Sequence, residues 1–558
     1  MVRSALCSFI LVITFLSNNL AQNNTIGLVD ANENMAGGYT LFAPNSSKTT
    51  YLIDECGNLV NAWLSERPPG LSAYLLPNGN LLRTRKESNN TFFAGGVGGA
   101  IEIFDWEGNL VWEFVLADEQ NILHHDIAPM DNGNILAIAY DFITQEEAIA
   151  NGRLLELTSE SGFWVDKIFE IKPLPNNNFE IVWEWSSFDH IVQDVNNNGA
   201  NFGIVSEAPG KFDINYTLSI NTSSVSQSDW LHSNAIDYNE ELDQIILNAR
   251  NYSEFYIIDH STTTEEAKGS TGGKYGKGGD LLYRWGNPAA YDSGGVEDQK
   301  LFNQHDAHWI DKGLEDEGKV FVFNNGVNRP GGTISTVDII DTPVRADGSY
   351  QVIANQAFGP AEAAWSYGNN ANDVNITSSR ISGVTQLENG SIFVCVGGLG
   401  RFLELDENLD IAWDYISPLA GDEALTQGDD PTFNTVFRAY RYPLDYPAFS
   451  LNEVRIGSPI ELNAKNEFCN LLPTEVVIMN ENPLKVINTL ATNQLLVRAK
   501  KNMDIAIVDV MGRTHIVYNL IEGDQSIELS TLSAGSYNIY SLNNRNTIFE
   551  PLRFVKID

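Results

Sequence analysis

The chain has 558 residues, 73 acidic against 34 basic side chains and a formal net charge of -39, and its 43% hydrophobic content is that of a globular protein, not a disordered one. The acidity excludes ordinary nucleic-acid binding, which needs Lys and Arg to neutralise phosphates, and docking on an anionic membrane surface. An anionic substrate would need a local cationic exception in this acidic coat.

In chain order, residues 1–21 read as a secretory signal peptide. Arg3 precedes an apolar run that ends at Leu16, and Ala21-Gln22 offers a cleavage point. The run is too short to span a membrane, and no later stretch is long enough. Cys7 lies inside it and is not a lipid attachment site. Cleavage leaves Cys56, Cys395 and Cys469, an odd number for an oxidising compartment. Cys56 and Cys395 fall in strand-like runs near the two ends of the main body. A bridge between them would tie a ring shut; the simpler alternative is two small buried thiols.

The body, 22–450, repeats itself. Aromatic triplets recur after turns: Asn61-Ala-Trp63, Trp112-Glu-Phe114, Trp183-Glu-Trp185, Tyr283-Arg-Trp285, Trp365-Ser-Tyr367 and Trp413-Asp-Tyr415. A turn followed by a strand recurs at Leu76–Leu82, Met130–Leu136 and Leu387–Phe393, each with a central Asn-Gly that suits positive φ. Six triplets predict six four-stranded blades, and radial repetition hides sheet edges, so a six-bladed β-propeller is the expected architecture. The triplets are expected to pack blade against blade.

Five of the eight histidines occur in three short motifs. These are Ile122-Leu-His-His-Asp-Ile127, Asp229-Trp-Leu-His-Ser-Asn-Ala-Ile236 and Asn303-Gln-His-Asp-Ala-His-Trp309. Each precedes a strand-like run, where a propeller strand would begin at the central channel. Equivalent placement of a scarce residue points to one shared site. Asp126 and Asp306, beside these histidines, are expected to orient the rings or to cap turns. Arg250, at the end of Ile245-Ile-Leu-Asn-Ala-Arg250, would project from a strand end, either to hold a tetrahedral oxyanion or to make a surface salt bridge. Two glycine-rich stretches, Gly95–Gly99 and Gly269–Gly279, match phosphate loops poorly and read as mobile loops. The second carries lysines that would overhang the channel mouth.

These motifs together resemble the bacterial arylsulfate sulfotransferases, which move sulfuryl groups without a nucleotide donor. The matching stretches are His124-His125, Trp230–Asp237, Ile246–Arg250, Gln304–Ile310 and Phe437-Arg-Ala-Tyr440. The resemblance spans roughly Gly27 to Tyr446 and implies a six-bladed propeller. It also implies that His305 is the nucleophile. His232, Arg250 and either His125 or His124 would be its partners, with His125 preferred. Ser382 is the nearest match to a substrate-binding hydroxyl. It implies an aryl sulfate donor, a phenolic acceptor and no cofactor.

The chemistry suits these residue types. A neutral imidazole is a sound nucleophile near pH 7 and would carry the sulfuryl group in a ping-pong reaction. Arg250 and His232 would offset charge on the sulfuryl oxygens. His124 or His125 would move the phenol proton. Three other readings compete. A sulfatase would need Cys or Ser in a formylglycine pattern, x-Pro-x-Arg, which none of the cysteines fits. A zinc site could be built from His305, His308, His124 and His232, but residues three apart on a strand face opposite ways. A non-catalytic binding propeller would not need all three motifs and Arg250.

Residues 451–473 read as a linker. From 474 to 558 short strand-like runs at close spacing suggest a small β-sandwich, which makes the whole chain all-β. Asn482-Pro483, Asp509-Val-Met-Gly512, Leu532-Ser-Ala-Gly-Ser-Tyr537 and Lys556 resemble the sorting domain of the type IX secretion system. The resemblance implies export through the periplasm to the surface or medium of a Bacteroidota-like bacterium, with the secretion machinery as partner and no membrane insertion.

Overall fold

The structure is a computed structural model that describes residues 24–217, 228–370, 373–465, 484–509, 514–541 and 552–557. The expected signal peptide, Cys7, Cys469 and Asn482-Pro483 lie outside them.

The chain is nearly all-β. Six antiparallel sheets follow one another, each with an inner-edge strand. The inner strands are Pro69–Leu75, Asn121–Pro129, Ser233–Asn239, His305–Trp309, Gly383–Gln386 and Val436–Tyr442. The last of these pairs with Tyr39–Pro44, so one sheet combines three early strands with a late one. The sheet that begins at Gly383 gains a fifth strand, Gly27–Ala31, on its outer edge. Each inner strand touches the next, and Val436–Tyr442 touches both Gly383–Gln386 and Pro69–Leu75, which closes a ring.

The apolar cores lie between neighbouring sheets. Trp112, Ile127 and Phe169 share one such cluster, and Phe42, Phe402, Trp413 and Tyr415 share another. Every aromatic triplet falls on the fourth strand of a sheet, one per sheet. The indole N–H groups then reach across to the following sheet. Trp63 donates to the Asp105 carbonyl, Trp112 to Asn178, Trp285 to Pro360 and Trp413 to Glu55. Each ring removes roughly 150–250 Å² from water, about 4–6 kcal/mol at the usual transfer coefficient. The paired N–H avoids the cost of burying an unmet donor. The Asn-Gly turns join inner strands to their neighbours, and Gly79 and Gly133 take the positive φ, 87° and 83°, that such turns need.

Cys395 is a free thiol buried in the strand Ile392–Val396. Cys56 sits in the turn after Thr49–Ile53 and is disulfide-bonded. No Cys56–Cys395 bridge closes the ring, and Cys56 is not a buried thiol. The closure is made by strand pairing instead.

Residues 452–465, within the stretch expected to link, are hydrogen-bonded along the ring. Ser458 accepts from Leu59, and Leu462 exchanges backbone bonds with Leu425 and Gln427. Beyond them a three-stranded and a five-stranded sheet share one core of Leu495, Val497, Ile505, Ile507, Ile527 and Phe554. Strand Gln494–Ala499 shows the period of two that a half-buried strand requires, with Leu495, Val497 and Ala499 inward.

Candidate active site

The inner strands do not run straight past the axis. Each of those from Pro69, Asn121, Ser233 and His305 has a register break near its start. Residues at or beside these breaks take left-handed backbone: Leu71, His125, His232, Asp306, and Ile381-Ser382 ahead of Gly383. Non-glycine residues rarely adopt it, and a bulge re-aims the side chain of the strand it interrupts. Here the bulges gather histidines at one end of the ring.

His125 and His232 meet ring to ring, centroids 4.6 Å apart. Phe437 lies beside both His125 and His305, at 6.2 and 6.5 Å. His305 and His125 are buried, and His232 is partly open. Burial, and after it the Arg250 charge, hold His305 well below the usual imidazole range; His232 and Arg438 act in the same direction. Burial likewise holds His125 well below that range, helped by His232, His124, His305 and Arg250. His305, His125, His232 and Arg250 therefore share one electrostatic site, and its buried imidazoles are neutral near pH 7.

The hydrogen bonds fix the tautomer of His305. The Asn325 amide donates from Nδ2 to the carbonyls of Ser378 and Ile381, which leaves its Oδ1 to accept from His305 Nδ1 at 2.7 Å. The proton is on Nδ1, and the lone pair is on Nε2. The Ile381 backbone N–H donates to that Nε2 at 3.2 Å.

His232 is held differently. Its Nδ1 is 2.5 Å from Asp229 Oδ2, and the other carboxylate oxygen accepts from the Tyr140 hydroxyl at 3.0 Å. Burial works to raise Asp229, but His232 and Tyr140 outweigh it and keep the carboxyl below its ordinary value. Tyr140 also stacks on His124, centroids 3.7 Å apart. His124 thus backs the site: its Nδ1 bonds His125 Nδ1 at 2.9 Å, and its Nε2 lies 3.4 Å from Asp166. His125 is the member of the pair that faces His232.

Arg250 follows strand Gln244–Ala249 and donates to Asn251 at 2.9 Å. It makes no ion pair among the described residues, so its remaining donors are free for an anion. Burial lowers its pKa, opposed by Asp229 and Tyr140. Gly96 lies against His125: a Cβ there would fall 2.0 Å from both Cε1 and Nε2 of the ring. The first glycine-rich stretch is therefore a close cover over the imidazoles. The second packs on the 259–267 turn, where Tyr275 N–H donates to Asp259, and its Gly279 lies against the His190 ring, outside the three histidine motifs. Ser382 follows Ile381, but its hydroxyl accepts from Gly397 N–H at 3.0 Å and faces the Arg380 carbonyl.

The nearest charge to Asp126 and to Asp306 is an arginine; Asp306 Oδ1 also lies 3.8 Å from His308 Nδ1. Both carboxylates bind Arg438, Asp126 at 2.6 Å and Asp306 at 2.8 Å. Asp306 also accepts from Val384 N–H and Asp126 from Ile236 N–H, so the trio ties five inner strands together at the axis. On the far side of this tie is a cavity of about 490 Å³, lined by His308, Trp309, Asp237, Tyr440 and Tyr442. His308 lines this cavity, and its Nδ1 donates to the Asp306 carbonyl at 2.9 Å. Among the described residues no group of His, Cys, Asp and Glu is arranged to hold a metal ion, and no helix is long and apolar enough to cross a membrane. Tyr140, Asn325, Ile381 and Arg438 were not expected from the sequence. Of these only Arg438 left a visible signal, since it falls in the Phe437-Arg-Ala-Tyr440 stretch that matches the family.

A family model described as arylsulfotransferase (ASST) matches residues 22–412. No curated protein matches the chain. Among solved structures it is similar to a protein of unknown function from Bacteroides caccae, at 11% identity and TM-score 0.37, over 72% of this chain and 98% of that one. It is also similar to AztD from Citrobacter koseri (9%, TM-score 0.31, over 73% and 98%). A third is a catalytically inactive virginiamycin B lyase from Staphylococcus aureus (10%, TM-score 0.31, over 70% and 88%).

Proposed function

The chain belongs to the arylsulfotransferase family, and on that premise we propose that it moves a sulfuryl group from an aryl sulfate to a phenol in two steps through His305. The fold is read as a six-bladed propeller over 22–450, followed by a linker and a C-terminal β-sandwich. The observation that carries the proposal is the state of His305: a buried neutral ring, proton on Nδ1, with an unprotonated Nε2 in the field of Arg250.

In the first step Nε2 gives up the Ile381 N–H it accepts from and attacks sulfur. The N–S bond forms, the S–O bond to the aryl group breaks, and the phenolate leaves. Arg250 offsets charge on the three sulfuryl oxygens, as in other transfers through an oxygen-rich centre. In the second step a phenol oxygen attacks the same sulfur and the electron pair of the N–S bond returns to Nε2. Separating the steps makes the reaction ping-pong. The glycine cover and the Phe437 ring restrict water, which favours transfer over hydrolysis.

The N-terminal 21 residues are proposed to direct export to the periplasm. The C-terminal region from 474 is proposed to act as a type IX sorting domain, which puts the protein at the surface or outside the cell. The support is its motif set and its two-sheet core.

Mass spectrometry after brief exposure to 4-nitrophenyl sulfate tests the reading. A sulfuryl group on the peptide carrying His305, lost on adding phenol and missing in His305→Asn, is the expected result. Wild-type activity in His305→Asn overturns it.

A further inference from the structure

Two imidazoles of the site, His305 and His232, are held by opposite partners. Behind His305 is a neutral amide, Asn325, at 2.7 Å; behind His232 is the buried carboxylate of Asp229, at 2.5 Å. An amide fixes a tautomer without favouring a second proton. A carboxylate fixes the tautomer and also stabilises the imidazolium once it forms. The two rings are thus prepared for different work, one to stay neutral and attack, the other to take up and release a proton.

We propose that Asp229 is a positioning residue that makes His232, not His124 or His125, the proton shuttle of the transfer. Asp229 holds the His232 proton on Nδ1 and turns the Nε2 lone pair away from itself. Tyr140 donates to the second oxygen of Asp229 and fixes the carboxylate plane. His125 has no such carboxylate, since its Nδ1 bonds His124 Nδ1, and the Nε2 of His124 is turned to Asp166. When a phenol attacks the sulfur on His305, its O–H proton passes to His232 Nε2 as the O–S bond forms and the N–S bond breaks. When the next donor reacts, His232 returns that proton to the departing phenolate. One proton is taken and one given per cycle, so nothing else is required.

This rests on the reading of His305 as sulfuryl carrier, and the test separates the two. Initial rates are measured for Asp229→Asn with two acceptors. One is phenol, neutral at the assay pH; the other is a nitro-substituted phenol that is already ionised and has no proton to give. General base catalysis is worth roughly 10²–10⁴-fold. The loss with phenol is expected to exceed the loss with the ionised acceptor by tenfold or more, and Asp229→Glu is expected to restore part of it. A smaller ratio overturns the inference. Tyr140→Phe removes only the hydroxyl, so if Asp229→Asn does not fold, the same ratio in Tyr140→Phe decides, with threefold as the threshold. Failure of the wild-type protein to label His305 overturns the two-step reading itself, whatever the ratios.

Discussion

Asn325 presents its amide oxygen to Nδ1 of His305 at 2.7 Å, and this one bond decides which ring nitrogen can react. The amide cannot flip, because its nitrogen already serves the carbonyls of Ser378 and Ile381. Asn325→Leu frees the ring to adopt the other tautomer. Transfer from 4-nitrophenyl sulfate is expected to fall roughly a hundredfold. Asn325→Asp puts a carboxylate behind the ring and raises the His305 pKa from its depressed state. Activity at pH 5–6 is then expected to fall further than at pH 8, while the wild-type protein loses little to His305 protonation there. A pH–rate profile that keeps its shape in Asn325→Asp contradicts this.

Gly96 sets how closely the cover lies on the imidazoles. In Gly96→Ala the new methyl would stand 2.0 Å from two atoms of His125, and the ring must swing aside. The residue also has φ of 81°, so about 1–2 kcal/mol of strain is added. Activity is expected to drop more than tenfold with a modest fall in melting temperature. Thermal unfolding and steady-state rates on the same preparation check both.

His260 links neighbouring sheets and is not part of the site. Burial opposes its charge, but Asp243 at 2.7 Å and Glu170 at 3.1 Å outweigh that and lift its pKa to about 9 from 6.5. A raised histidine pKa stabilises the fold fully below pH 6.5 and loses the contribution as pH rises through about 9. The span corresponds to at most about 3 kcal/mol. Melting temperature is expected to decline between pH 6.5 and 9.5 in the wild type and to decline less in His260→Gln. Parallel curves for the two proteins would remove His260 as the cause.

Arg438 neutralises two buried carboxylates at the axis. Arg438→Met leaves Asp126 and Asp306 facing each other without a counter-charge, which costs roughly 3–5 kcal/mol. Burial already raises Asp306, and only Arg438 and its other partners hold it back. The variant's carboxyl pKa therefore moves higher still. Its stability deficit is expected to shrink as pH falls toward 5, where protonation removes the repulsion. Denaturant unfolding at pH 5 and pH 8 reads the difference, and an equal deficit at both rules out the charge as its source.

The repeating elements were legible in the sequence because their cause is local. The triplets mark fourth strands since an indole needs both an apolar face and a carbonyl to receive its N–H, and only a strand beside another sheet offers the two together. The three histidine motifs were legible as one site for the same positional reason. Two things were not. Asp126 and Asp306 look like ring partners in sequence, yet a bulge puts a left-handed residue at His125 and at Asp306 and sends the carboxylates to Arg438, which lies 312 residues beyond Asp126. Two supports of the imidazoles, Asn325 and Tyr140, sit on or beside neighbouring strands in ordinary contexts, and Asp229, although in the second histidine motif, has no local mark as the partner of His232. Their importance comes from tertiary register alone.

The strand that closes the ring is also one of the last parts of it to be translated. Val436–Tyr442 brings Phe437 to the His125 and His305 rings and Arg438 to their neighbouring carboxylates. A ribosome-bound chain can therefore have all three histidine motifs but no assembled pocket. A reactive imidazole arises only after nearly the whole body has been synthesised and its two ends have met.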